Sequence, residues 1–482
     1  MASTSSIDHH QDYAADNLAA SLVKKLEVEY PLISPNRCIF KVPHKLRVVN
    51  EKVFVPKAVS IGPYHHKKLE QYEAMEKYKL HYLKQFLHHN PCIPLKTCVK
   101  NCVLMLKRYE KSARECYAED ISKLSSDEFV EMMMLDGCFI VELFLMFWIP
   151  PKFSTHFDPL FAHKYSLNRQ LIAEDLVLLE NQLPFFVLQA LFDFINNASQ
   201  SQNHSGISFL KLALRFFNCN EEGTSTLEEP SHLLDLIYKT SIPSKSPKEG
   251  DEMEERDGGC LHLLKKKKKM EMEMEMEMEP SHLLDLKYIM SIPSKKTNDN
   301  GDGGGSPRTL PTATQLWEAG VKFRAAPRGT HLLYIKFENG TLEIPTIIVE
   351  DDTEQQFRNM IAYEQCSGER SHMTDYFIVI DDLVSSPGDV SLLKRKGIFI
   401  NWLGDDEEAS NMVNKMGKNV YVSSEEFQYK DLYKKLNDYY ANPWRKWKAM
   451  LKHDYFNTPW SLVAFLAALA VLICTFIQTV NS

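Results

Sequence analysis

The sequence predicts a mainly α-helical protein: a multi-helix globular body with a small β-hairpin element, followed by one C-terminal transmembrane helix. Apolar residues recur at helical spacing through most of the 482 residues. One stretch alternates apolar and polar residues around Asn339-Gly340, a dipeptide typical of a two-residue hairpin turn. The last stretch, 460–480, is apolar and contains no charged residue.

The first part of the chain is predicted to combine helices with one irregular stretch. Leu18 and Leu22 belong to an apolar series at helical spacing, which predicts an amphipathic helix near the N-terminus. Residues 38–66 contain β-branched runs interrupted by prolines, which predicts extended segments and turns. Two further helices are predicted over 68–87 and 100–118.

A very apolar helix is predicted over 129–148. Ser125 and Glu128 have the spacing of a capping box and mark its start. Asp136 and Glu142 lie within the apolar run, and a carboxylate in the middle of a bilayer is costly. The sequence therefore favours a central core helix over a second membrane span.

A second apolar stretch covers 175–195, where Pro184 is expected to kink or divide a helix. Three polar residues, Glu180, Asn181 and Gln182, interrupt the apolar run just before Pro184. Two interpretations are open. Either these side chains cap or hydrogen-bond the broken helix, or they form a polar cluster that binds a ligand.

A low-complexity insertion with a duplicated segment interrupts the body. Residues 229–245 return almost unchanged as 279–295, and a lysine run followed by alternating Met and Glu lies between the copies. This composition predicts a mostly disordered insertion with one HLLDL copy docked on the core. The first copy is favoured for docking, because Lys287 replaces the apolar Ile237 in the second.

The C-terminal part of the body is predicted to mix helices with the hairpin. A short helix is expected over 314–319, a hairpin with a type I′ turn over 331–349, and a helix directly after it. Acidic pairs are predicted to cap helices rather than to act as catalytic carboxylates: Asp351-Asp352, Asp381-Asp382 and Asp405-Asp406.

The predicted organisation has six parts. They are an N-terminal segment (1–35), the N-terminal part of the helical body (36–244), the insertion (245–308), the C-terminal part of the body (309–440), a basic juxtamembrane segment (441–459) and the transmembrane helix (460–480).

The predicted membrane anchor is the apolar segment 460–480. A helix of this length is roughly 30 Å long and matches the hydrocarbon core of a bilayer. The anchor positions are Trp460, Leu466, Leu469, Leu472 and Val480, and the basic residues before them are Arg445, Lys446, Lys448 and Lys452. This charge distribution predicts a single-pass membrane protein with its N-terminal body in the cytosol. The alternative is a buried core helix. Ala464 and Ala468 form a small-xxx-small pair, which would let two spans pack closely and self-associate.

Composition excludes some functional classes. Lys plus Arg number 56 and Asp plus Glu number 64, so no global basic field exists to hold nucleic acid. The ten cysteines contain no C-x-x-C pair, and Cys98 and Cys102 have no matching His/Cys pair downstream. We therefore expect free thiols in a reducing cytosol and no zinc site. The N-terminus lacks the pattern of a signal peptide.

No catalytic, cofactor or metal site is predicted. His65-His66 is the most conspicuous constellation, but adjacent histidines rarely bind one metal without a third ligand, so a structural or turn role is favoured. Phosphate-loop, hydrolase-elbow and zinc-protease motifs are missing from the sequence. The sequence thus offers no residue for an enzymatic mechanism.

Several stretches, in their order along the chain, closely resemble the plant family called domain of unknown function 247. They are VSIGPYHH (59–66), DGCFIVELF (136–144), LVLLENQLPFFVL (176–188), HLLDL (232–236 and 282–286), IPTIIVEDDTEQQFRNMIAYEQC (344–366) and the terminal apolar segment. The resemblance implies a plant protein with a predominantly α-helical body and a C-terminal membrane anchor. It implies no established activity, and the association of some members with pollen–stigma self-incompatibility suggests recognition.

Three functional hypotheses follow. The first is a tail-anchored interaction or signalling protein with unknown protein partners, on the plasma membrane rather than an endomembrane. The second is an outward-facing recognition protein, for which three glycosylation sequons would be available: Asn197-Ala198-Ser199, Asn203-His204-Ser205 and Asn339-Gly340-Thr341. The third is a membrane-tethered enzyme of unfamiliar design.

Overall fold

The structure is a computed structural model. It describes residues 15–24, 36–66, 73–89, 91–148, 167–198, 207–217, 219, 229–242, 309–327, 330–368, 370–423, 426–442, 467, 470–471, 473 and 475.

Helices dominate the part before the insertion. They are α1 (15–24), α2 (His44–Arg47), a 3₁₀ helix (Glu51–Phe54), α3 (Glu73–His88), α4 (Leu95–Glu115), α5 (Ser126–Trp148), α6 (Leu167–Asp175), α7 (Phe185–Ala198), α8 (Phe209–Phe216) and α9 (Leu233–Thr240). The mainly helical prediction is confirmed. Helix α1 forms where the apolar spacing predicted it, but Leu18 and Leu22 are exposed.

Helices and short strands alternate after the insertion. They are α10 (Ala313–Glu318), β1 (Lys322–Ala325), β2 (Lys336–Glu338), β3 (Thr341–Ile344), β4 (Ile347–Val349), α11 (Thr353–Ser367), α12 (His372–Leu383), α13 (Pro387–Arg395), β5 (Phe399–Asn401), α14 (Asp406–Met416) and α15 (Lys430–Ala441).

Helix α5 is the centre of the N-terminal part, in contact with α3, α4, α7 and α8. Its start is the predicted capping box: the Glu128 N–H donates to Ser125 Oγ at 3.3 Å, and the Ser125 N–H donates to Glu128 Oε2 at 3.0 Å. Apolar side chains are buried on every face of the helix. This burial confirms the prediction of a core helix. A helix that is apolar on every face is stable only where other elements cover all of its sides.

The two carboxylates that interrupt α5 are buried and paired. Lys79 Nζ of α3 donates to Asp136 Oδ1 and to the carbonyl of Ser60, both at 2.6 Å. Glu142 Oε2 lies 3.0 Å from His89 Nε2. Each charged group thus has a polar partner, as burial of a charge requires.

The hairpin prediction is also confirmed. Strands β2 and β3 pair antiparallel, with Phe337 opposite Leu342. Asn339 and Gly340 both have positive φ, 51° and 74°, as a type I′ turn requires. Strand β1 adds to the hairpin in parallel with β3, and a separate parallel pair joins β4 to β5.

The first HLLDL copy packs in the core, as predicted. It forms α9, in which Leu233, Leu234, Leu236 and Ile237 are each at most 2% exposed. The second copy and the rest of the insertion lie outside the described residues. Helix α11 joins the two parts of the body: Tyr363 donates its hydroxyl to Asp235 Oδ1 at 2.9 Å.

The predicted transmembrane helix is wrong. Among the residues that the structure describes, no helix is long and apolar enough to cross a membrane. The long apolar helix of the described body, α5, carries Asp136 and Glu142 within its run, and such charges oppose insertion. The expected anchor and juxtamembrane positions lie outside the described residues: Trp460, Leu466, Leu469, Leu472, Val480, Arg445, Lys446, Lys448 and Lys452.

Some predicted helix caps are also corrected. Asp381 and Asp382 lie near the end of α12 and not before a helix. Acidic pairs occur both inside and beside helices, so their residue type alone does not locate a helix end.

Replacement of Phe144 by alanine is expected to lower the free energy of unfolding by about 3–5 kcal/mol. The ring is fully buried in α5, with its centroid 4.5 Å from that of Phe216 and 5.6 Å from that of Phe209. Urea denaturation followed by circular dichroism measures the change. Leu80→Ala, at a position 56% exposed in α3, is the control and should change stability by about 0.5 kcal/mol or less. Equal effects of the two variants would contradict this account of the core.

Candidate functional site

The polar loop between α6 and α7 is the first candidate, because the sequence left its role open. At its start, the Asp175 carboxylate accepts the N–H groups of Lys57, Ala58 and Val59 at 2.8, 2.6 and 2.8 Å. Burial raises the pKa of Asp175 to about 6, although these three donors favour the charged form. The Asp175 carboxylate therefore supplies the hydrogen bonds that a neighbouring strand would otherwise give to the irregular segment at 57–59.

Asn181 continues the same role. Its Oδ1 accepts the N–H of Ile61 at 2.6 Å, and its Nδ2 donates to the carbonyl of Val59 at 3.0 Å. The backbone approaches closely here: Gly62 has φ +72°, and a Cβ on it would lie 2.4 Å from the carbonyl oxygen of Gln182. Position 62 therefore requires glycine for both its conformation and its space.

Glu180 and Gln182 also bond to the chain itself. Glu180 Oε1 accepts the N–H of Val42 at 2.7 Å and also pairs with Arg47. Gln182 Nε2 donates to two carbonyls of its own loop, and its Oε1 accepts the N–H of Leu234 at 3.2 Å. All three predicted polar residues thus hydrogen-bond to neighbouring segments of the chain. This agrees with the interpretation in which they form internal hydrogen bonds, and not with the one in which they bind a ligand.

His65 lies next to this loop. Its Nε2 lies 3.5 Å from Glu180 Oε2, and the residue is buried, whereas His66 is half-buried. Within the described ranges, no group of three His, Cys, Asp or Glu side chains is placed to hold a metal. Cys98 and Cys102 are buried on α4.

A cavity of about 380 Å³ at the end of the β4–β5 pair is the second candidate. The two strands run parallel, so their carboxyl ends meet at the same edge. Helices α11 and α14 begin beside it. The lining residues are Glu350, Asp351, Glu354, Leu403, Asp405, Glu407, Glu408, Asn411, Met412 and Lys415. We call this cavity the acidic groove.

The acidic groove gathers carboxylates because two helices begin at its edge. Asp405 Oδ1 accepts the N–H of Glu407 at 3.1 Å and so caps α14. Acidic residues in the first turn of a helix are stabilised by its positive end. Glu354 also accepts from Arg358 Nε at 2.8 Å. The helix ends and Arg358 thus offset part of the repulsion between the carboxylates.

Apolar groups form another part of the acidic groove. Leu403 and the buried Met412 line it. Trp402, which precedes Leu403, is 47% exposed, and its backbone N–H donates to the carbonyl of Val349 at 2.9 Å. A long side chain with a cationic tip could place its stem against these groups and its tip among the carboxylates.

Sequence reasoning did not identify the acidic groove. Asp351 and Asp405 were each predicted as caps, and the Asp405 prediction agrees with the structure. Asp352 stands at the N-terminal capping position of α11 but makes no side-chain capping bond there. The available indication was that two acidic runs each follow a short β-branched or aromatic stretch. Their parallel pairing joins residues about fifty positions apart, which no local pattern reports.

Replacement of Asn181 by leucine is expected to lower the free energy of unfolding by about 3 kcal/mol or more, because buried donors and acceptors lose their partner. Chemical denaturation measures this loss. The control is Asn101→Leu on the exposed face of α4, with an expected change of about 0.5 kcal/mol or less. If both variants kept wild-type stability, the loop would not hold the irregular segment.

Replacement of Asp352 by asparagine is expected to reduce the pH dependence of stability. Burial and the charge of Glu174 raise the pKa of Asp352 from 3.8 to about 6. Its stabilising contribution is therefore complete below about pH 4 and is lost as the pH rises through 6, a change on the order of 2–3 kcal/mol.

Urea denaturation between pH 4 and pH 7 tests this expectation, with Asp351→Asn at the exposed neighbouring position as the control. Wild type and Asp351→Asn should lose more stability than Asp352→Asn as the pH rises. Parallel curves for wild type and Asp352→Asn would refute the assignment.

Known proteins similar to this chain share most of its length. UPF0481 protein At3g47200 of Arabidopsis thaliana is 27% identical over 452 residues, which cover 92% of this chain and 85% of the relative. A second Arabidopsis thaliana UPF0481 protein, At3g02645, is 25% identical, covering 96% of this chain and 93% of its own. No solved structure matches. A family model described as plant protein of unknown function, domain of unknown function 247, matches residues 39–474, and the chain belongs to this family.

Proposed function

We propose that this protein is a binding module that recognises a basic segment of a protein partner through the acidic groove. The observation that carries the proposal is the composition of the groove: six of its ten lining residues are acidic and one, Lys415, is basic. Such a surface attracts cations and repels phosphates and nucleic acids. The proposed role is binding rather than catalysis.

The size and shape of the acidic groove suit one or two side chains. Its volume of about 380 Å³ lies at the lower end of the range for ligand pockets. Arginine is the preferred occupant, because its planar guanidinium binds carboxylates in a bidentate manner. The apolar Leu403 and Met412 would contact its aliphatic stem.

Exposed charges extend the field beyond the groove. Asp351, Glu407 and Glu408 are exposed, so they can meet a partner without a rearrangement of the fold. The whole chain carries a net charge of −8, which also favours encounter with a basic partner.

The acidic groove is expected to bind a fluorescein-labelled nona-arginine peptide, and the double variant Glu407→Gln/Glu408→Gln should bind it about tenfold more weakly. Fluorescence anisotropy at low ionic strength measures the affinity. Both positions are exposed and near the start of α14, so the fold should be retained, which circular dichroism checks.

A matched control separates groove binding from general charge attraction. Glu131→Gln/Glu318→Gln removes the same charge from exposed positions that do not line the groove. This variant should bind the peptide as wild type does, and a nona-glutamate peptide should not bind. Equal weakening by both double variants, or no binding by wild type, would overturn the proposal.

The compartment in which such binding occurs stays a prediction. Asn339-Gly340-Thr341 is relevant to the outward-facing alternative, because Asn339 is exposed at the hairpin turn. A mass shift of the plant-expressed protein after glycosidase treatment would favour that alternative. An unchanged mass would favour a cytosolic location.

A further inference from the structure

Two cysteines from distant parts of the sequence lie beside a short parallel bridge. The bridge pairs Ile39 with Tyr117, and Cys38 and Cys116 directly precede these two residues. The N–H groups of Cys38 and Ile39 both donate to the carbonyl of Cys116, at 3.0 and 2.9 Å, and the N–H of Ala118 donates to the carbonyl of Ile39 at 2.9 Å.

This proximity suits a disulfide bond. Hydrogen-bonded backbones in a sheet lie about 4.8 Å apart, and disulfides join residues whose Cα atoms are about 4.4–6.8 Å apart. Cys116 ends α4 with helical dihedral angles, so the N–H···O bonds from Cys38 and Ile39, and not strand register, hold the two cysteines together. The two thiols are close enough for each to shift the pKa of the other, Cys116 Sγ also donates to the carbonyl of Ser112 at 3.3 Å, and both thiols are free.

The contact makes the two thiols chemically unequal. The hydrogen bond from Cys38 lowers the pKa of Cys116, and the same bond, with burial, raises the pKa of Cys38. The thiolate is the reactive form of cysteine, so Cys116 is the better nucleophile. Cys116 is buried, whereas Cys38 is partly exposed, which opens the pair to a small oxidant from the Cys38 side.

The surroundings connect the pair to the rest of the fold. Cys116 directly follows α4, and the carbonyl of Cys38 lies 2.9 Å from Nε2 of His232, the residue that caps α9. A covalent bond here would therefore join the segment before α2 to the end of α4, beside the start of α9.

We propose that Cys38 and Cys116 are a redox modification site that forms a reversible disulfide when the protein meets a hydroperoxide. The Cys116 thiolate attacks one peroxide oxygen, the O–O bond breaks, and Cys116 becomes a sulfenic acid while hydroxide leaves and takes up a proton. The Cys38 sulfur then attacks the Cys116 sulfur, forms the S–S bond and releases water. In sum, two thiols and one hydrogen peroxide yield one disulfide and two waters.

The test uses the full-length protein, first reduced and then freed of reductant. It is treated with hydrogen peroxide, its remaining thiols are blocked with N-ethylmaleimide, and non-reducing peptide mapping by mass spectrometry locates the crosslinks. We expect a Cys38–Cys116 crosslink that dithiothreitol removes. Oxidation of the exposed Cys92 without that crosslink would overturn the proposal.

Variants assign the roles of the two sulfurs. In Cys38→Ser the sulfenic acid on Cys116 has no partner thiol, so dimedone should label Cys116 after peroxide treatment. Cys92→Ser is the control and should form the crosslink as wild type does. Absence of dimedone labelling at Cys116 in a folded Cys38→Ser protein would overturn the proposed order of attack.

A measurement on the wild-type protein distinguishes the native pair from random oxidation. The same peroxide treatment in guanidinium chloride should abolish the preference for Cys38–Cys116, because the bridge that aligns the thiols is lost. Hydrogen exchange of the Ile39 and Ala118 amides should slow after oxidation of the folded protein, since both amides belong to the bridge. An equal crosslink yield in denaturant would argue against a built site.

Discussion

Buried backbone that belongs to no helix or sheet must still find hydrogen-bond partners, and the rest of this structure depends on how that need is met. The N–H groups of residues 57–59 bond to Asp175, and those of Ile61 and Gly62 bond to Asn181 and Asp136. Side chains here replace strand partners. The irregular segment can therefore pass through the interior between α5 and the loop before α7, where ordinary loop sequence would leave polar groups unpaired.

The same principle of paired burial explains the contrast between the two candidate sites. In the loop before α7, polar atoms bond to the chain and carry stability. In the acidic groove, exposed Asp351, Glu407 and Glu408 keep their charge toward solvent. The positive N-terminal ends of α11 and α14 stabilise these carboxylates, which would otherwise repel one another. A structural cap and the proposed binding surface are thus made from the same residue types, and exposure separates the two.

Local features of this fold were predictable in detail. The capping box at Ser125, the turn at Asn339-Gly340 and the core packing of the first HLLDL copy all follow from short patterns whose physics is local. The loop at 180–182 was identified as polar, but its hydrogen-bond partners were not. Two of these partners, Val42 and Ile61, lie more than a hundred positions earlier in the chain. The membrane span was predicted from hydropathy alone, and no helix of the described residues is long and apolar enough to cross a membrane.

By itself, the sequence determined the helical class, the position of the hairpin, the family and the absence of a familiar catalytic motif, because each depends on spacing within a few residues or on a set of motifs in order. Only the tertiary structure decided which polar groups pair in the interior, that two acidic runs share one groove, and that Cys38 meets Cys116. These contacts join residues far apart in the chain, and their geometry is set by the packing of whole helices and strands.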